Sequence, residues 1–167
     1  SSFTKWKDVQ DYFPSHLIIN RGFGGSTLPD LIRYTDDIVF PYKPKQIVIY
    51  CGENDIASSD TISAETVANR FIVLFNKIRS RYRKIPVVYI SMKPSPSRER
   101  FFPKMIAANN AIQQFLSTKK RTVFVNVYHL MLNGESQPMK EIYLDDMLHM
   151  NSKGYLIWQK ALEPYLK

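Results

Sequence analysis

An aspartate stands three residues before a histidine in Asp146-Met147-Leu148-His149, near the C-terminus. That spacing can place both side chains on one face of a turn or of a helix start. The carboxylate then accepts a hydrogen bond from one imidazole nitrogen, which fixes the tautomer and leaves the other nitrogen free as a general base. A base of this kind needs a nucleophile to deprotonate and donors to hold the oxyanion that results. Taken alone, the pair has an ordinary alternative: an aspartate that happens to neighbour a surface histidine.

Other reactive residue types point elsewhere. Asp36-Asp37 and Asp145-Asp146 put carboxylates together, but adjacent carboxylates diverge and no second histidine is near, so no metal site is expected. Cys51 directly follows an apolar strand and reads as core rather than as a reactive thiol. His16 and His129 read as structural, flanking strands. Trp6, Trp158 and the many Tyr and Phe residues read as packing rather than as a stacking platform for nucleic acid.

The elements that must position the pair follow from periodicity. Phe3 to Phe13 reads as a short amphipathic helix stopped by Pro14. His16 to Ile19 reads as a strand running into the glycine-rich Asn20-Arg21-Gly22-Phe23-Gly24-Gly25-Ser26-Thr27. A helix follows from about Pro29 to Ile38. Gln46 to Tyr50 is a buried strand ending at Gly52-Glu53-Asn54-Asp55, which alone could be a simple turn. Val67, Phe71, Leu74 and Ile78 form the inner stripe of a long helix closed by Arg79, Arg81, Arg83 and Lys84. Val87 to Ile90 is a third strand, ending in the Lys93-Pro94-Ser95-Pro96 loop. Met105, Ala108, Ile112 and Phe115 form another stripe. Thr122 to Val127 is the last strand, and Asn151 or Ser152 caps a final helix with Tyr155, Trp158 and Leu162 inward. Alternating strands and helices mean a parallel sheet covered on both faces, with ligands at the carboxyl ends of its strands. The glycine-rich loop, the Gly52–Asp55 turn and the Lys93 loop should therefore gather on one edge with the Asp146/His149 segment.

The 167 residues suit one domain. At 44% hydrophobic and 23% charged the composition is that of an ordinary globular protein, and no run reaches the length of a membrane span. One cysteine excludes an internal disulfide and leaves the compartment open. The net charge of +8 and a pI near 9.5 would suit a polyanionic partner, but no nucleic-acid module accompanies them and a solvated basic surface is the simpler reading.

Together these blocks resemble the SGNH (GDSL-type) hydrolase family across essentially the whole chain. Asn20–Thr27 is similar to the family's second block, Gly52-Glu53-Asn54-Asp55 to its third and Asp146-Met147-Leu148-His149 to its fifth, in the family's order. The resemblance implies a three-layer αβα sandwich on a flavodoxin-like parallel sheet. It also implies a serine ester hydrolase that needs no cofactor. Asp146 and His149 take the triad roles, and the Gly25 N–H and the Asn54 side chain hold the oxyanion together with the nucleophile's own N–H. The departure is at the first block, a strand ending in Gly-Asp-Ser or Gly-Ser-Ser. The sequence opens Ser1-Ser2-Phe3-Thr4-Lys5-Trp6, which aligns Ser1 with the nucleophile and Ser2 next in line. The family's first strand lies between the His16–Ile19 and Gln46–Tyr50 strands, so the expectation is that residues upstream of Ser1 exist or that another strand fills the gap.

The expected substrate is a small ester, an acetylated sugar or a short-chain or lipid-like ester. The alternative is a non-catalytic module on this fold that binds a polyanion or carbohydrate, supported by the incomplete first block and by Lys119-Lys120-Arg121 with the Arg79–Lys84 cluster.

Overall fold

A computed structural model describes residues 1–167. Three strands, β1 (Ile47–Ile49), β2 (Val87–Ile90) and β3 (Thr122–Val125), pair in parallel in the order β1-β2-β3. The register sets Ile47 beside Val87 and Val87 beside Thr122, so the three carboxyl ends emerge together. Alternation along the strands divides two cores. Ile47, Ile49, Val87 and Tyr89 face one side, and Val88, Ile90 and Val125 face the other.

On the first side lie α3 (Leu28–Ile38), α5 (Ala64–Arg81) and α6 (Phe102–Ser117). The α5 stripe Val67, Phe71, Leu74 and Ile78 is fully buried, and Ser63 caps the helix by accepting the Thr66 N–H. On the second side α8 (Ser152–Leu162) brings Tyr155, Trp158 and Leu162 inward, and the Asn151 side chain accepts the N–H groups of Lys153 and Gly154. Helices on both faces of a parallel sheet make the three-layer αβα arrangement.

Three expectations need correction. The N-terminal helix is two short helices, α1 (Ser2–Lys5) and α2 (Val9–Tyr12), because Trp6 leaves the helical path and stacks on Tyr155 in the second core. Residues 16–19 do not form a strand. The Ile18 N–H donates to the Gln10 side chain, Leu17 is 91% exposed, and β1 is an edge with no strand beside it to pair with this segment. The last strand stops at Val125, because the Ser91 hydroxyl accepts the N–H groups of Val127 and Tyr128 and turns the chain into α7 (Val127–Leu130).

Elsewhere the packing roles match. Cys51 is buried, and Trp6 and Trp158 are almost wholly enclosed. Asp36 pairs with Lys77. No helix is long and apolar enough to cross a membrane.

Gly154, in the first turn of α8, backs onto the turn that carries His149. A Cβ there would meet the Ile142 carbonyl oxygen at 2.7 Å and Met150 Cβ at 2.8 Å. Alanine normally favours a helix over glycine, but here the clash is with backbone and core. Gly154→Ala should therefore destabilise by roughly 1–3 kcal/mol, read as a drop in Tm.

Candidate active site

The Asp146–His149 segment is a tight turn rather than a helix start. Tyr143 and Met150 form an antiparallel bridge at its base, and the Leu144 N–H donates to the His149 carbonyl at 2.8 Å. Inside the turn one carboxylate oxygen of Asp146 accepts the Leu148 and His149 N–H groups at 3.0 and 2.9 Å. The other accepts from His149 Nδ1 at 2.6 Å. Met147 sits between them in the left-handed region at φ 51°, a conformation costly for a side chain of its size. The Asp146 carboxylate hydrogen bonds and the contacts of Ser97, whose N–H and hydroxyl both donate to the Met147 carbonyl, hold it there. His149 Nδ1 is thus committed, and Nε2 has no protein partner.

Partial burial would raise the Asp146 carboxyl. The ring and backbone N–H of His149 and the Leu148 N–H outweigh it and hold the group well below the usual carboxylate range.

The β1 end supplies a second piece. Gly52 takes φ 123°, and a Cβ would crowd Met92 Sδ at 3.1 Å and Val67 Cγ1 at 3.2 Å, so glycine is needed where the chain turns into α4 (Glu53–Ser58). Asn54 lies in the first turn of α4, and its Nδ2 donates to the Ser26 carbonyl at 3.1 Å, leaving its second N–H free. Asp55 ties this helix to its neighbours by accepting from the Leu28 N–H at 2.8 Å and from Arg70 at 2.7 Å. Burial pushes its carboxyl up despite both donors. Gly25, at φ 69° with open space where a Cβ would stand, immediately precedes Ser26.

Ser1, Ser26, Tyr50, Cys51, Gly52, Glu53, Asn54 and Leu148 line one small cleft. Of the residues expected to act, Ser1 and Asn54 share its wall, Gly25 adjoins Ser26, and His149 adjoins Leu148. Ser2 is instead buried at the start of α1, its carbonyl accepting from the Tyr155 hydroxyl at 2.8 Å. The Ser1 nitrogen donates to the Phe23 carbonyl at 3.4 Å. Burial pushes the Cys51 thiol far up, so this cleft residue is not a thiolate nucleophile.

Behind the cleft-lining Tyr50 and Glu53 lies a buried polar cluster that the motifs do not announce. Lys93, after β2, is 1% exposed and donates through Nζ to Glu53 at 2.9 and 3.3 Å and to the Ser95 hydroxyl at 2.7 Å. Ser95 donates to Glu53 at 3.1 Å, and the Tyr50 hydroxyl donates to the same carboxylate. Burial would raise Glu53, but Lys93 and the two hydroxyls hold its carboxyl below its ordinary value. A lysine three residues past a buried strand, with an acid four residues past the adjacent strand, is the available signal.

The model of the GDSL-like lipase/acylhydrolase family matches residues 2–157. No curated protein sequence matches the chain. Among solved structures, a GDSL-like lipase from Bacteroides thetaiotaomicron superposes with a TM-score of 0.82 at 23% identity, covering 98% of this chain and 82% of that one. A Streptococcus pneumonia protein provisionally assigned as a platelet activating factor gives 0.86 at 24% identity, with 99% and 80% covered. A catalytic mutant of an acetylxylan esterase from Geobacillus stearothermophilus gives 0.75 at 15% identity, with 98% and 80% covered.

The shifts of Asp146 and Glu53 set a sign for acid stability. Both folded-state values lie below the unfolded ones, so each carboxylate contributes stability above about pH 4 that is lost as pH falls through its folded value. Carboxyl carbon NMR titration should show Asp146 ionised at pH 3. Asp146→Asn should remove its share of the acid-induced loss of stability.

Proposed function

Because the chain belongs to the GDSL-like lipase/acylhydrolase family, we propose that it is a serine ester hydrolase that removes acetyl or other short acyl groups through an acyl-enzyme. The observation that carries this reading is the cleft that groups Ser1 and Asn54 against the turn holding the Asp146–His149 pair.

In this reading His149 Nε2 takes the proton of the Ser1 hydroxyl as its oxygen attacks the ester carbonyl. Asp146 holds the ring through Nδ1 and stabilises the imidazolium that forms. The developing oxyanion meets the free N–H of Asn54 Nδ2 and the backbone N–H of Gly25, where the missing side chain leaves the approach open. Collapse expels the alcohol, protonated by His149. A water activated by the same nitrogen then releases the acid. No step calls on a cofactor.

A narrow cleft with polar walls suits a small acyl group. The acetylxylan esterase among the structural neighbours supports an acetylated carbohydrate as the first ester to try. The polyanion-binding alternative is weakened at its basic cluster: Arg79 donates to the carbonyls of Ile85, Lys120 and Arg121, so its guanidinium serves the fold.

Hydrolysis of p-nitrophenyl acetate and of acetylated xylo-oligosaccharides by the full-length protein tests the reading. His149→Ala should lower kcat by about 10⁴-fold or more. Asn54→Ala should lower it by about 10²–10³-fold with little change in KM. Turnover unchanged in His149→Ala would contradict the reading. Salt-sensitive binding of a polyanion that survives His149→Ala would favour the binding module.

A further inference from the structure

The Glu53–Lys93 pair is an unusual use of charge. Both groups are almost fully removed from water, and exchanging such a pair for apolar or neutral residues of similar size is often neutral or stabilising. Stability alone therefore gives little reason for it. Its connections give a better one. Glu53 directly precedes Asn54, so its position fixes the start of α4. Lys93 and Ser95 belong to the loop after β2. Ser95 Oγ stands 3.4 Å from the Leu148 carbonyl oxygen, one residue before His149, and Ser97 grips the Met147 carbonyl. Tyr143, at the base of the His149 turn, donates its hydroxyl to the Pro94 carbonyl at 3.0 Å. One buried cluster thus touches the segment that presents Asn54 and the segment that presents His149.

We propose that Lys93 and Glu53 are positioning residues that lock the Asn54 helix and the His149 turn in the relative placement turnover requires. This assignment rests on the hydrolase reading above and adds residues to that site. Neither residue is placed on the reacting atoms. Each acts through the neighbours it holds, and displacement of a catalytic group by about 1 Å can cost on the order of 100-fold in rate. The effect should therefore fall on kcat while substrate affinity is kept.

The test separates folding from placement. Lys93→Met alone leaves a buried carboxylate without its cation and should destabilise strongly or fail to fold. The double variant Glu53→Gln/Lys93→Met removes both charges and keeps an amide to meet Tyr50 and Ser95, so it should recover a Tm near that of the parent. In that folded double variant kcat for p-nitrophenyl acetate should fall by about 10- to 100-fold with KM nearly unchanged. Parental kcat in the folded double variant overturns the assignment and leaves the hydrolase reading intact. A double variant that fails to fold also overturns it, since the pair would then be needed for the fold itself. Absence of His149-dependent turnover in the parent overturns the hydrolase reading, and this assignment with it.

Discussion

Lys93 and Glu53 meet where the ends of β1 and β2 emerge side by side, and the rest of the candidate site is arranged around that meeting. Removing an ammonium and a carboxylate from water costs roughly several kcal/mol for each ion, and the cost is recovered only when geometry and added hydrogen bonds are good. Here the carboxylate receives Lys93, Ser95 and Tyr50, and the ammonium reaches Ser95 as well. A cluster with this many mutual partners tolerates little displacement of any member. Whatever is fastened to it inherits its rigidity.

The fastening follows from the parallel register. Because Ile47, Val87 and Thr122 stand side by side, the chain leaves all three strands at one level. The loops must then satisfy their own polar groups close together, and they do so through one another. Tyr89 donates across to the Cys51 carbonyl, Ser91 accepts the first N–H groups of α7, and Asn109 both accepts from and donates to the Met92 backbone. The two cores beneath give this edge a firm base, the apolar face of α5 on one side and the Trp6–Tyr155–Trp158 aromatic cluster on the other. The His149 turn is the exposed part. It has little apolar packing of its own and keeps its shape through the Asp146 carboxylate and the Ser97 contacts.

Much of this was readable in the residues. The α5 stripe and the run Val87–Ile90 have periods that admit one element each, and both formed where expected. Gly52 and Asn54 follow the end of β1 and the Asp146/His149 pair stands in the last turn, as their order in the sequence implies, whereas Gly25 lies in a loop that no strand precedes. The failures have physical causes. His16–Ile19 has the composition of a strand, but β-structure needs a neighbour, and a neighbour is a tertiary fact that local composition does not carry. The break at Trp6 comes from Tyr155, some 150 residues away in the chain. Lys93 and Glu53 were visible as charges in loops. Their burial depends on which strand lies beside which, so neither residue announces it alone.

In the proposed mechanism the Ser1 hydroxyl is the nucleophile served by His149. Reaction of the full-length protein with a fluorophosphonate, followed by mass mapping of the adduct, tests it most directly. A single adduct on the Ser1 side chain is expected, formed rapidly in the parent and lost in His149→Ala. An adduct on Ser26 or Ser95, or labelling of Ser1 that is indifferent to His149, would contradict it.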